Sequence, residues 1–140
     1  MDIGYELKIL SKNLELHLSK KLEKDGITSS QFHLLVFLAG QNGRKVTQKE
    51  ICESLDLKHT TVIGLVKRMS EKGLVASEVN AENARYRDIF LTEKGMQYAE
   101  SLDENRIVVN TQILDGFSDK EEAELKRLLQ KLKNNVEKLQ

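Results

Sequence analysis

The 140 residues are 39% hydrophobic and 31% charged, with 22 basic against 22 acidic side chains. That balance suits one soluble domain with a sizeable core, and excludes a protein that coats polyanions indiscriminately. No apolar run reaches the roughly 18 residues that span a bilayer, and the opening MDIGYELK lacks the basic and apolar blocks of a signal peptide, so the expected site of action is the cytoplasm, with no membrane partner.

Proline and tryptophan are absent, and Lys, Glu and Leu dominate both ends, which predicts a mostly helical fold. The first helix is expected over about Asp2 to Glu23. Ile3, Leu7, Leu10, Leu14, Leu18 and Leu22 recur at steps of three and four, one apolar stripe, and Asp25 and Gly26 end it. Thr28 and Gln31 have capping-box spacing and open a second helix carrying Phe32, Leu35, Val36 and Ala39, almost wholly apolar and therefore central, broken by Gly40 to Gly43.

Thr47 and Glu50 repeat the capping-box spacing and start a short helix, TQKEICESL, with Ile51, Ser54 and Leu55 expected inward. Cys52 lies inside it as a buried or half-buried thiol, and a lone cysteine excludes an internal disulfide. Across Lys58 to Lys72, Val62, Leu65, Val66 and Met69 fall at i, i+3, i+4 and i+7. One face is thereby buried, while His59, Thr60, Ile63, Gly64 and Lys67 point out, and Gly73 ends the helix.

Leu74 to Val79 and Asp88 to Thr92 read as a small antiparallel hairpin around the polar NAENAR stretch. A long helix is expected from about Glu93 to Leu114. Ser118 and Glu121 then cap a last helix with the stripe Leu125, Leu128, Leu129, Leu132, Val136 and Leu139. One small core has limited room for the apolar stripes at both termini, so a homodimer through the terminal helices is expected, the alternative being that the two helices cover each other within one chain.

Charge is uneven. Arg44 to Lys94 holds ten basic against eight acidic residues (+2), Gly95 to Phe117 one against four (−3), and Leu57 to Lys72 four against one (+3). A short helix, a turn, a helix with a polar outer face, then a hairpin with arginines is the order of a winged helix-turn-helix. A major groove about 12 Å wide admits one helix whose outward groups meet base edges. His59, Thr60 and Thr61 offer donors and acceptors, Ile63 a methyl contact, and Gly64 a close backbone approach. Lys58 stands at the start of that helix, and Lys67 and Arg68, a turn further on, suit phosphates. Thr47, Gln48 and Lys49 begin the preceding helix, whose N-terminus attracts a phosphate. Arg85 at the hairpin tip suits a narrow minor groove, Arg87 the flanking phosphate, and Tyr86, alternating between them, is expected to pack on the other face.

The segments ITSSQFHLLVFL, VTQKEICESLDL, TTVIGLVKRMSEKGLV and NARYRDIFLTEKG together resemble the MarR (multiple antibiotic resistance regulator) family of bacterial transcription regulators. The most specific piece is the wing arginine followed by Leu91 to Gly95, LTEKG. The resemblance implies a homodimer with interlocked terminal helices, a winged helix-turn-helix in each subunit, palindromic operators in double-stranded DNA, and often a small-molecule or redox signal that releases DNA; a repressor is the expected role. On this reading about 28–95 form the DNA-binding lobe, and about 1–25 and 96–140 the dimerisation region.

Three positions depart from the family pattern. Asn83 stands where an aspartate usually precedes the wing arginine by two residues, and can cap the turn but not ion-pair with Arg85. Lys58 replaces a small hydroxyl cap, and Gly64 a larger polar residue. His33 falls where some relatives place a zinc ligand, but residues 96–117 contain no histidine to complete that site, and His17 is expected on an exposed face; no metal or cofactor is expected. No phosphate loop, nucleophile elbow or paired-cysteine motif points to an enzyme. Two other readings remain: a winged-helix module that binds protein through the same face without DNA affinity, and a small-molecule binding module that uses a crevice between the dimer helices and the winged lobe.

Overall fold

The computed structural model describes residues 1–140, which form two compact units, Met1–Glu100 and Ser101–Gln140. The elements in chain order are α1 (Ile3–Lys24), α2 (Ser29–Ala39), β1 (Val46–Thr47), α3 (Gln48–Leu55), α4 (His59–Glu71), β2 (Val75–Val79), β3 (Arg87–Leu91), α5 (Glu93–Ile113) and α6 (Asp119–Glu137).

Helix boundaries follow local chemistry. Asp2 caps α1 by accepting from the Tyr5 N–H at 2.8 Å, and the expected capping boxes at Thr28/Gln31, Thr47/Glu50 and Ser118/Glu121 are all formed. Each satisfies donors that the first turn of a helix leaves without partners. Gly26 and Gly73 follow the ends of α1 and α4 with φ of +69° and +74°, a conformation that glycine adopts without steric cost.

In the first unit the sheet has the order β1-β3-β2, all antiparallel. The expected hairpin is present as β2 and β3, with Val75 opposite Leu91 and Val79 opposite Arg87. A third strand, β1, was not expected: Val46 pairs with Ile89, and both are fully buried. The core joins Leu34, Leu35 and Leu38 of α2, Ile51 of α3, Val62, Leu65, Val66 and Met69 of α4, and Val46, Val75 and Ile89 of the sheet. Helix α2 is central, as its composition implies, although Val36 is exposed: the helix buries the face of Leu34, Leu35 and Leu38 instead. Ser54 is likewise exposed, not inward; on that face of α3 Ile51 is buried and Leu55 half-buried.

The start of α5 is fastened to the end of α4 at one point. The Thr92 hydroxyl donates to the Gly73 carbonyl at 2.6 Å and accepts from the Gly95 N–H at 3.0 Å, while the Thr92 N–H donates to the Leu74 carbonyl at 3.1 Å. Lys94 Nζ adds a bond to the Lys72 carbonyl at 3.0 Å. These contacts give the LTEKG segment its physical content: it anchors the exit of the wing.

Apolar side chains along the first half of α1 (Ile3, Leu7, Leu10, Leu14) are exposed in the chain. In the second unit Leu102 is buried, whereas Leu128, Leu129, Val136 and Leu139 of α6 are exposed. No helix is long and apolar enough to cross a membrane.

Candidate nucleic-acid interface

Helices α3 and α4 pack on each other across a three-residue turn. Asp56 turns the chain in the left-handed region (φ 52°, ψ 50°), a conformation that an aspartate tolerates better than most residues, and the Leu57 N–H donates to the Cys52 carbonyl at 3.1 Å. Lys58 then caps α4 with no side-chain hydrogen bond, so the first N–H groups of that helix have no hydroxyl or carboxylate cap.

Burial of Val62, Leu65, Val66 and Met69 dictates what α4 presents. His59, Thr60, Thr61, Ile63, Lys67 and Arg68 are exposed and Gly64 is half-buried. None of the polar side chains on this face makes a hydrogen bond or ion pair within the chain. Lys72, which contributed to the basic count of this segment, is spent elsewhere: its ammonium bonds the Gly26 carbonyl and Gln31 Oε1, tying the end of α4 to the α1–α2 turn. The cations left outward on α4 and its cap are Lys58, Lys67 and Arg68.

The start of α3 is less open. Thr47 is half-buried and its hydroxyl accepts from the Glu50 N–H, while Glu50 Oε2 accepts from the Thr47 N–H at 2.8 Å. Arg44 donates to Glu50 Oε1 at 3.0 Å. These groups hold the Glu50 carboxyl below its ordinary value, the Thr47 backbone bond first and Arg44 after it. Gln48 is half-buried and Lys49 exposed beside this carboxylate.

The wing tip is a built turn. Asn80 Oδ1 accepts from the N–H groups of Glu82 and Asn83 at 2.9 Å each, Asn80 Nδ2 donates to Asp88 Oδ1 at 2.9 Å, and the Asn80 N–H donates to the Tyr86 carbonyl at 2.9 Å. Asn83 Oδ1 accepts from the Arg85 N–H at 3.0 Å, so this uncharged residue does cap the tip. Tyr86 corrects the sequence reading: it is 51% exposed and does not pack on the other face. Side chains alternate only along a strand, and β3 begins one residue later, at Arg87.

The chain has six arginines. Arg44, Arg106 and Arg127 are paired with Glu50, Asp103 and Glu124, and Arg87 donates to Ser77 Oγ from Nε and Nη2 at 3.3 and 3.2 Å. The guanidinium groups of Arg68 and Arg85 have no partner within the chain. Lys45, which sequence reasoning passed over, is also exposed, but its ammonium pairs with Glu78 and lies 5.1 Å from the Phe90 ring centroid. His17, His33 and His59 lie on three different helices, all exposed, and no group of three His, Cys, Asp or Glu residues could hold a metal ion. Cys52 is a half-buried free thiol.

Comparison with known proteins identifies the arrangement. A sequence profile of the MarR family matches residues 25–85, which span α2 through the wing tip. Over that span the chain is similar to the MarR family of transcription regulators. Over 136 residues it is 26% identical to the HTH-type transcriptional repressor MdtR of Bacillus subtilis, covering 97% of this chain and 86% of that protein. The fold is the winged helix of that family. A mutant of MepR from Staphylococcus aureus superposes with a TM-score of 0.87 at 25% identity over 97% of this chain and 99% of its own. MepR in complex with DNA does so with 0.72, at the same identity and coverage. The relatives matched are transcription regulators and not enzymes.

Proposed function

We propose that this chain is a MarR-family, sequence-specific DNA-binding repressor that acts in the cytoplasm as a homodimer on a palindromic operator. The observation that carries the reading is the distribution of arginines: the two whose guanidinium groups find no partner within the chain are Arg68 on the outer face of α4 and Arg85 at the wing tip. A free, fully charged fork is what phosphates and groove edges recruit. MepR, similar over nearly its whole length, is known in complex with DNA, and MdtR is named a repressor.

The roles divide by position. Lobe 28–95 meets DNA, with His59, Thr60, Thr61, Ile63 and Gly64 against bases, Lys58 and Lys67 against phosphates, Arg85 in the minor groove and Arg87 on the flanking strand. Thr47, Gln48 and Lys49 contribute backbone contacts; Glu50 makes Lys49, the one exposed cation there, the principal group. Residues 1–25 and 96–140 form the dimerisation region, which accounts for the exposed leucines of α1 and α6. A small-molecule signal that releases DNA completes the reading.

The test is selection of bound fragments from genomic DNA, then titration of the best one by fluorescence anisotropy at two salt concentrations with Arg85→Ala in parallel. Palindrome-specific, salt-sensitive binding that weakens in the variant is expected. Binding indifferent to both salt and Arg85 would overturn the reading and favour a protein partner for the same face.

A further inference from the structure

The Arg68 guanidinium folds back over Gly64. A Cβ placed on Gly64 would meet Arg68 Nη2 at 3.4 Å, Nη1 at 3.6 Å and Cζ at 3.7 Å, so the planar group lies over the space that a side chain at Gly64, one turn before it, would begin to fill. Helical side chains lean toward the N-terminus, and here the lean carries the fork from the last turn of α4 back to the level of Gly64. The group has no hydrogen bond or ion pair in the chain, although Glu71 is only three residues away.

We propose that Arg68 is a base-reading residue, not a phosphate contact, and that it selects a guanine in each operator half-site, with Gly64 as the positioning residue that leaves room for it. This rests on the DNA-binding reading above and deepens it. The chemistry is specific: two parallel N–H donors of the fork match the N7 and O6 acceptors that guanine alone presents in the major groove. Lysine carries the same charge without the fork. Gly64 contributes by absence. An alanine there still fits against the guanidinium at ordinary contact distance, whereas a long side chain occupies the space in which the fork rests.

The experiment is selection from randomised duplex DNA with the full chain, the Arg68→Lys variant and the Gly64→Gln variant, followed by anisotropy titrations across a salt series. The native protein is expected to enrich one invariant guanine per half-site. Arg68→Lys should lower discrimination at that position about 10- to 100-fold while leaving the salt slope unchanged, and Gly64→Gln should do the same with Arg68 intact. Replacing that guanine by 7-deazaguanine should weaken the native protein but not Arg68→Lys, a difference that a merely structural role for Arg68 would not produce. Uniform weakening of all sequences, with unchanged base preferences and a salt slope reduced by about one in Arg68→Ala, would make Arg68 a phosphate contact and overturn the proposal alone. Failure of the native protein to enrich any DNA would instead remove the DNA-binding reading, and this one with it.

Discussion

Gly95 lies against the Leu74 carbonyl so closely that a Cβ on it would overlap the oxygen, with Leu91 Cδ2 at 3.2 Å on another side. The same carbonyl accepts from the Thr92 N–H, so it is held in place and cannot turn away. Helix propensity favours alanine over glycine by about 1 kcal/mol, but overpacking costs about 1–3 kcal/mol, and here the obstacle is backbone. Gly95→Ala is therefore expected to lower stability by about 1–2 kcal/mol in urea unfolding. Gly40→Ala, where the nearest atoms stand at 3.5 Å and the backbone is right-handed, should leave stability unchanged or slightly higher. Equal effects of the two substitutions would remove the close approach as the reason for glycine at 95.

The Glu50 carboxylate sets a pH dependence whose sign is fixed. Its pKa is lowered in the folded chain by the Thr47 N–H and by Arg44, so the folded state binds the proton less readily than the unfolded one. The contribution to stability is fully present above the ordinary value of 4.5 and is lost as pH falls through the lower folded value. Glu50→Gln retains a cap at Thr47 but loses the charge. Unfolding curves of the two proteins should differ above about pH 5 and converge toward pH 3. A gap that persists undiminished at pH 3 would assign the difference to packing.

What could be read from the sequence was what is local. Thr28 with Gln31, Thr47 with Glu50 and Ser118 with Glu121 specify helix starts because both partners of each box lie within one turn. The buried face of α4 was equally legible, because four apolar residues at helical spacing define a single stripe. Strand β1 was not, since two residues have no periodicity and Val46 becomes a strand only through Ile89, 43 positions away (89 − 46). The exposure of Tyr86 is not legible from strand alternation, because β3 starts at Arg87 and Tyr86 lies in the turn before it. The free and engaged arginines look alike in sequence. Only the packed chain distinguishes Arg87, held by Ser77, from Arg85, and turns Arg68 back over Gly64.

Two substitutions separate groove recognition from charge. Arg85→Ala should weaken operator binding by about 1–3 kcal/mol if the guanidinium fills a narrow minor groove, with thermal stability unchanged because the side chain has no partner to lose. Lys67→Ala should weaken operator and unrelated DNA alike and reduce the salt slope by about one. The two recognition helices of a dimer enter successive major grooves, so half-sites about 10 bp apart are expected. A probe with its half-sites shifted by half a turn that bound as well as the operator would be incompatible with that geometry.

The last helix offers the cleanest test of assembly. Leu128 and Leu129 of α6 are each 44% exposed in the chain, and glutamate is about as good a helix former as leucine. Replacing both by glutamate should therefore cost a single chain little, and the capping box at Ser118 and Glu121 and the ion pairs of Glu122 with Lys126 and Glu124 with Arg127 remain. Because only the exposed 44% of each side chain remains to be covered, a dimer that buries these leucines loses on the order of 1 kcal/mol for each and must also desolvate two charges per chain. Sedimentation velocity should show a dimer for the native chain and a monomer of unchanged helicity for the double variant, with operator affinity falling in step because one half-site no longer recruits the other. Deleting residues 118–140 should dissociate the dimer in the same way. If the glutamate variant sediments as a dimer, α6 lies outside the interface, and the exposed residues of α1 and α5 become the surfaces to substitute next.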